Sequence, residues 1–455
     1  MSDNKGAASR GSADRGLMDT LVSLCKRRGF IFPSSEVYGG LASAWDYGPL
    51  GVALKNRLRD LWWREMTQLH DNIVGLDAAI LMHPQVWQAS GHVDHFTDPL
   101  VDCRNCKSRF RADQVDVSGP CPTCGKAELT DPRQFNMMFR THLGPLEGGG
   151  TEIYLRPETA QGAYVNFKSV QQASRLKVPF GIAQVGKVFR NEITTKSFIF
   201  RTCEFEQMEL QYFVHPDEAD HWFGHWKERR FAYYQQLGIR ASKLRLRPHA
   251  DAERAHYARA AEDIEYEYPF GWQELEGIHN RGDYDLTQHA TVSGKDLSYL
   301  NEETKERYVP YVVETAVGLT RTVLVALLDG YAEDEVEGET RTVLRLHPRV
   351  APITVAVFPL VKKDGLAELA REIEEELRDS FATFYDQGGA IGRRYRRQDE
   401  IGTPFCVTID YESKDDDTVT IRYRDSTEQE RVPRKELVAK VRAAMGDYVR
   451  PDESG

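Results

Sequence analysis

Of the seven cysteines in this 455-residue chain, four form two Cys-x-x-Cys pairs, Cys103/Cys106 and Cys121/Cys124, fourteen residues apart. Gly119-Pro120 precedes the second pair and Gly125 follows it. Two such knuckles offer four thiolates at the corners of a tetrahedron, the set Zn²⁺ takes at structural sites, and leave no position open for substrate. A redox-active or merely buried pair is the bland alternative, and seven cysteines are too few for a disulfide scaffold.

A second signal is Phe189-Arg190-Asn191-Glu192 followed, after eight residues ending at Phe200, by Arg201-Thr202-Cys203-Glu204-Phe205. On a hairpin the two-residue period puts Arg190 and Glu192 on one face, with Arg201 and Phe205 facing them. A planar fork for phosphate or carboxylate, an acceptor for an amine and a ring for stacking describe an adenosine nucleotide pocket; a surface Arg–Glu pair fits the spacing equally well. Further on, Glu314-Thr315-Ala316-Val317-Gly318-Leu319-Thr320-Arg321 sets an acid, a glycine and an arginine before an apolar helix, from which the arginine can reach a terminal phosphate. No Gly-x-x-x-x-Gly-Lys-Ser/Thr loop is present, so arginines would hold the phosphates. Glu158 in Arg156-Pro157-Glu158-Thr159-Ala160-Gln161-Gly162, with Glu206, Glu209 and Glu274, would repel on one sheet unless an ammonium or Mg²⁺ lay among them. On spacing alone, separate surface acids are the simpler account.

The elements that must position these groups follow from periodicity. Residues 1–16 are expected as a disordered tail, and Leu17, Met18, Leu21, Val22 and Cys25 begin a helix. Gly48-Pro49-Leu50-Gly51 opens an amphipathic helix to about His70, and Asp77 to Pro84 is a strand candidate ended by proline. Residues 96–130 are a polar insertion holding the cysteines. Ile153 to Tyr212 alternates as an antiparallel sheet, and residues 215–270 are expected to be a mainly helical insertion. Val312 to Tyr331 reads as strand, glycine turn and buried helix, and Glu333 to Glu339 as a solvated linker closing a unit of residues 17–347. From 348 to 450 strands alternate with helices, a small α/β unit, before a tail at 451–455.

Composition bounds the function. Net charge is −11, which argues against general affinity for DNA or RNA, so any RNA contact must be a local patch such as Gly392-Arg393-Arg394-Tyr395-Arg396-Arg397. No apolar run of about 18 residues and no signal-peptide core occur, so the expectation is a cytoplasmic protein with no membrane contact.

The ordered set resembles the class II aminoacyl-tRNA synthetases. The Arg190 to Phe205 stretch is similar to their motif 2, Gly318 to Arg321 to motif 3, and the Gly51 helix with the strand ending at Pro84 to motif 1. Tyr38-Gly39-Gly40, Trp45-Asp46-Tyr47-Gly48-Pro49, Phe135-Asn136-Met137-Met138-Phe139, Tyr154 to Gly162 and Phe205-Glu206-Gln207-Met208-Glu209 are similar to the homodimeric glycyl branch. The resemblance implies an α+β catalytic domain, an antiparallel sheet flanked by helices, with a four-cysteine zinc-ribbon insertion and a C-terminal α/β anticodon-binding domain. It implies a glycine-tRNA ligase using ATP, Mg²⁺ and structural Zn²⁺, with glycine and tRNA(Gly) as substrates.

Residue roles carry over by the same resemblance. Arg190 and Arg321 would be catalytic. ATP would meet Arg190, Asn191, Glu192, Phe200, Arg201, Thr202, Cys203, Glu204, Phe205, Glu274, Leu275, Gly318, Leu319, Thr320 and Arg321. Glycine would meet Arg111, Glu158, Phe205, Glu206, Gln207, Met208, Glu209, Glu314, Thr315, Ala316, Val317 and Gly318. Arg393, Arg394, Arg396 and Arg397 would contact tRNA. Thr315-Ala316 depart from the Pro-Ser of many relatives, removing a hydroxyl near the glycine α-carbon. A different amino acid within the same subgroup, or an inactive nucleic-acid-binding relative, are the rival readings; the second would lose motif arginines, and Arg190, Arg201 and Arg321 are all present.

Overall fold

The computed structural model describes residues 4–145, 150–195, 197–250, 258–336 and 338–451, with side chains from Gly16 onward apart from Ala42. Among the described residues, seven strands form one sheet in the order Leu244–Pro248, Ala260–Tyr268, Gly271–Gly282, Tyr311–Gly318, Glu204–Val214, Phe180–Phe189, Ile73–Gly75. Neighbours are antiparallel except the last pair, where the short edge strand runs parallel.

The two faces of this sheet differ because each strand alternates. Along Glu204–Val214, Met208, Leu210 and Tyr212 enter the main core, while Gln207, Glu209 and Gln211 point to the other side. The helices Pro49–Trp63 and Leu319–Gly330 cover the apolar face, with Leu54, Leu58 and Trp62 meeting the same cluster as Val323, Leu324 and Leu327. Each such buried leucine contributes about 2 kcal/mol of transfer free energy, so this back layer holds the sheet rigid behind a polar front. Helix Ala219–Gln236 packs there too, and its Arg230 meets Glu276 beneath the sheet, both fully buried. At one end of the front face, Tyr164 and Phe167 pack with Phe180, Phe213 and Leu286.

Four sequence expectations change. Among the described residues of 215–270 there is one α-helix and then two strands, Leu244–Pro248 and Ala260–Tyr268, that extend the sheet; Ile264, Tyr266 and Tyr268 alternate into the core, a period-two signal inside an Ala- and Glu-rich composition. Glu333 to Glu339 is no linker: Tyr331–Val336 pairs with Glu339–Leu344, Gly338 turns at φ 79°, and Asp334 receives Arg341 and Arg345. Pro84 starts a short helix, Pro84–Ala89, instead of ending a strand, because its missing N–H costs nothing at a first helical position; the strand lies earlier, at Ile73–Gly75. The first helix begins at Asn4, so most of the expected tail continues it upstream; extending a helix already anchored by Leu21, Leu24 and Cys25 costs far less than starting one. Of the expected tail at 451–455, residues 452–455 lie outside the described residues, as do 1–3.

The C-terminal sheet has the order Thr383–Tyr385, Val355–Pro359, Phe405–Ile409, Thr418–Tyr423, Gln429–Pro433, parallel over the first three strands and antiparallel over the rest. Its own core joins Val357, Val407 and Ile421 to Ile373, Leu377 and Val441.

Candidate active site

The Arg190 and Arg201 stretches do sit on one hairpin, with Phe205 opposite Val188. Arg190 lies between two rings, 5.4 Å from the Phe96 centroid and 5.3 Å from that of Phe205, and its Nε donates to Pro157 O at 3.0 Å. Two aromatic faces and a carbonyl fix the fork before any ligand arrives. Arg201 Nε stands 4.0 Å from Glu192 Oε2. Arg321, on the first turn of its helix, lies 4.6 Å over the Phe200 ring and 3.1 Å from Glu274 Oε1. Arg190, Glu192, Phe200, Arg201, Phe205, Glu274 and Arg321 line one cavity of about 240 Å³ on the polar face of the sheet.

The same cavity holds Glu158, Glu209 and Glu314, the last two buried and the first partly so. Glu314 receives Arg281 Nη1 at 3.1 Å and Gln211 Nε2 at 2.8 Å, with His279 Nδ1 at 3.0 Å. Glu158 faces His92 Nε2 at 3.3 Å and accepts from Gln161 Nε2 at 2.9 Å. Burial would raise both acids, but His92 and Arg281 beside Glu158, and Arg281 and His279 beside Glu314, hold them below the ordinary carboxylate range. Among the described residues, the one hydrogen bond to Glu209 comes from the Thr159 hydroxyl, at 2.5 Å, with Arg190 acting on its charge from farther off. Burial first, and then repulsion from Glu314 and Glu158, push its carboxyl up to about 8. Once Glu209 gives up its proton the cavity is one cation short at its centre, and an ammonium group fits that deficit.

Period two sorts the remaining candidates. Gln207, Ala316, Val317, Gly318, Thr202 and Thr320 line the cavity. Met208 and Leu319 belong to the core behind the sheet, and Thr315 is fully buried on that same reverse side. Glu206 pairs with Lys55 and Glu204 with Lys187, and both acids line a neighbouring cleft. Neither Asn191 nor Cys203 lines the cavity; their backbone amides donate to Met137 O and Ser43 O at 2.7 and 2.8 Å. Leu275 is also corrected: the register slips between Ile264 and Glu265, so a bulge sends Leu275 into the core while Glu274 and Gly277 face the cavity. Arg111 stands outside the lining, held by Asp98 and Asp113.

Sequence reasoning missed His92, Gln161, Gln211, His249, Asp263, His279 and Arg281. Gly277, His279 and Arg281 alternate on a strand, and that pattern was the available signal. Gly277 makes room for its neighbour, since an added Cβ there would lie 2.6 Å from the His279 ring.

The four cysteines come together at the root of the strands Thr97–Asp102 and Arg109–Arg111, their sulfurs all within 4.8 Å. Cys103 and Cys124, and likewise Cys106 and Cys121, are 3.7 Å apart. Four sulfurs at the usual Zn–S length of about 2.3 Å would be about 3.8 Å apart, so the donor set fits zinc. Both knuckles turn alike, with Lys107 at φ 60° and Gly125 at φ 72° after amide bonds to Cys103 O and Cys121 O.

The basic run is mostly spent inside the fold. On helix Ile391–Asp399, Arg394 is buried and donates to Pro359 O and Leu360 O, Arg397 pairs with Asp386, and Arg396 reaches Val336 O. Tyr395 packs by Phe358 and bonds Thr408. Only Arg393 of the four arginines is exposed, so Arg394 is withdrawn as an RNA contact.

Residues 144–329 match the family described as tRNA synthetase class II core domain (G, H, P, S and T), and residues 354–444 match the anticodon binding domain. A glycine–tRNA ligase of Treponema denticola is 61% identical over 443 residues, 95% of this chain and 98% of that protein. One of Borreliella burgdorferi is 58% identical over 436 residues, again 95% and 98%. Among solved structures, a prolyl-tRNA synthetase of Cryptosporidium parvum, complexed with L-proline and AMP, aligns with a TM-score of 0.65 at 14% identity over 94% of this chain and 75% of that one, a likeness of fold. Identity of this level along nearly the whole length, on a chain whose arginines and buried acids share one cavity, means that the chain belongs to the glycine–tRNA ligase family of class II aminoacyl-tRNA synthetases.

Proposed function

We infer that this enzyme activates glycine with ATP and transfers it to the 3′ end of tRNA(Gly). The observation that carries the reading is the cation-deficient trio Glu158, Glu209 and Glu314 in the same cavity as Arg190. The glycine ammonium sits among the three acids, and its carboxylate faces Arg190. Glu192 accepts the adenine amine, Phe205 stacks on the base, and Arg201 and Arg321 hold the terminal phosphates. The glycine carboxylate attacks the α-phosphate in line, pyrophosphate leaves, and the arginines stabilise the developing charge without a protein nucleophile. The tRNA 3′ hydroxyl then takes the glycyl group and releases AMP. Larger amino acids are rejected by collision, which lessens the need for an editing site.

Glu274 and Asp263 offer carboxylate oxygens at the phosphate end, suited to Mg²⁺, which would neutralise phosphate charge there. Zinc at the four thiolates is structural. Residues 17–347 act as the catalytic unit and 348–450 as the anticodon-binding unit. Among the described residues the strand Ile73–Gly75 ends the sheet and borders a cleft lined by Trp63 and Leu76, which supports a homodimer that sedimentation at micromolar concentration tests. No helix among the described residues is long and apolar enough to cross a membrane.

Exchange of labelled pyrophosphate into ATP, with each of the twenty amino acids in turn and no tRNA, tests the activity. Exchange with glycine alone is expected. Exchange with another amino acid overturns the pocket assignment, and none with any overturns the enzyme.

A further inference from the structure

A second cavity, of about 520 Å³, lies where the two units meet. Its walls carry Arg57 from helix Pro49–Trp63, Arg349 from the connecting segment, Arg378 from the end of helix Leu366–Arg378 and Arg442 from helix Leu437–Gly446. Asp379 is the one acid in the lining. Arg378 is occupied by a bidentate pair with Glu374. The other three arginines are not: Arg57 donates to Thr354 Oγ1 at 3.1 Å and Arg442 to Ser380 Oγ at 3.0 Å, and among the described residues Arg57, Arg349 and Arg442 have no carboxylate partner.

This is against the grain of the chain. With a net charge of −11, many arginines elsewhere pair with acids even at the surface, as Arg431 and Arg434 do. Three guanidiniums from three separate segments converge here on hydroxyls and open space. Arg57 is half-buried, and burial depresses its ionisation with only Asp60 acting the other way, so it carries a desolvation cost that no ion pair offsets. A planar fork in that state is matched by phosphate oxygens.

We propose that this junction cavity binds the phosphodiester backbone of tRNA, with Arg57, Arg349 and Arg442 as its phosphate ligands. The proposal rests on the tRNA ligase reading above and moves the main electrostatic contact away from the 393–397 run, whose charges are largely spent. Because one wall comes from the catalytic unit and the others from the C-terminal part of the chain, a bound backbone would also fix the two units against each other.

The test is filter binding of a labelled tRNA(Gly) transcript to wild type, R349A/R442A and R349K/R442K at several salt concentrations. Both residues are exposed, so the variants keep the fold, which circular dichroism verifies. The alanine pair should bind about a hundredfold more weakly, and its log–log salt slope should flatten by about 1.5, two phosphate contacts' worth; the lysine pair should restore most of the slope. Glycine-dependent pyrophosphate exchange without tRNA should be unchanged. Unaltered affinity and slope in the alanine pair overturn the site, as does a loss of self-association with tRNA binding intact, which would make the cavity a protein interface. A wild type that lacks exchange overturns the enzyme reading separately, since binding and slope are read without turnover.

Discussion

At the scale of single residues the pocket is a problem in charge balance. Glu158 and Glu314 each have a histidine and share Arg281, whereas Glu209 between them has a hydroxyl. With its carboxyl pushed up to about 8, Glu209 is mostly protonated in the free enzyme at neutral pH, and an arriving ammonium must displace that proton. The stability contribution of this acid is full below its ordinary value near 4.5, shrinks as pH rises and is gone above about 8, because the folded state is the one that holds the proton. Glu158 and Glu314 act oppositely: their contribution is present above 4.5 and lost as pH falls toward their depressed folded values. Glu209→Gln mimics the protonated acid. It should therefore keep the melting temperature at pH 6 within a few degrees, remove the Glu209 share of the decline from pH 5 to 8, and raise the KM for glycine at least about tenfold with the KM for ATP unchanged. Thermal melts across pH and steady-state exchange kinetics check this; an unaltered glycine KM refutes Glu209 as an ammonium ligand. His279→Ala should also raise the glycine KM, by about threefold to tenfold, since Glu314 keeps Arg281 and Gln211.

At the scale of elements, the zinc-type cluster is tied to the catalytic centre by the strand it anchors. Cys103 follows Thr97–Asp102 directly, Phe96, whose ring supports Arg190, precedes it, and the strand itself supplies Asp98, which holds Arg111. Stripping the metal with a chelator should loosen residues 97–136, seen as new proteolytic cleavage there, and lower glycine-dependent exchange by tenfold or more; metal analysis should return one zinc per chain. Retained exchange from metal-free protein would separate the ribbon from Arg190. How much of this could be read from sequence depends on how local the cause was. The cysteine knuckles, the Arg190 hairpin and the strand-to-helix step at Gly318 are fixed by nearby spacing, and they were legible. The bulge at Leu275, the strands hidden in residues 215–270 and the spending of Arg394 on Pro359 O and Leu360 O come from tertiary pairing, which no local period encodes. The same reason hid Arg281 and His279, whose meaning appears only once their strand lies beside Glu314.

At the scale of the whole molecule, the two units are bolted together by buried ion pairs. Asp329, at the end of helix Leu319–Gly330, receives Arg240 Nε at 3.1 Å, Tyr266 OH at 3.2 Å and Arg450 from the end of the described chain, so the C-terminal segment returns to clamp the catalytic sheet. Arg341, from the hairpin between the units, reaches Asp399 Oδ2 at 3.2 Å and Arg424 O at 2.7 Å. Asp329 and Asp399 are almost wholly buried; without Arg450 the first keeps Arg240, and without Arg341 the second keeps Arg422, so losing one partner removes a charged hydrogen bond and costs about 1.5–3 kcal/mol. That cost falls on the junction, because each unit keeps its own apolar core. Arg450→Ala should therefore split a single calorimetric unfolding transition into two, the C-terminal unit melting first, as independent cores do once their interface weakens. Glycine-dependent pyrophosphate exchange should persist, since Arg190 and the three acids all come from residues 158–314, on the catalytic side of the junction. Aminoacylation should fall more than exchange, because tRNA spans both units and must hold them in register as it binds. A single transition shifted down intact, with exchange and aminoacylation lowered equally, would mean that Asp329 and Arg450 support the catalytic core itself and that the units do not move as separate bodies.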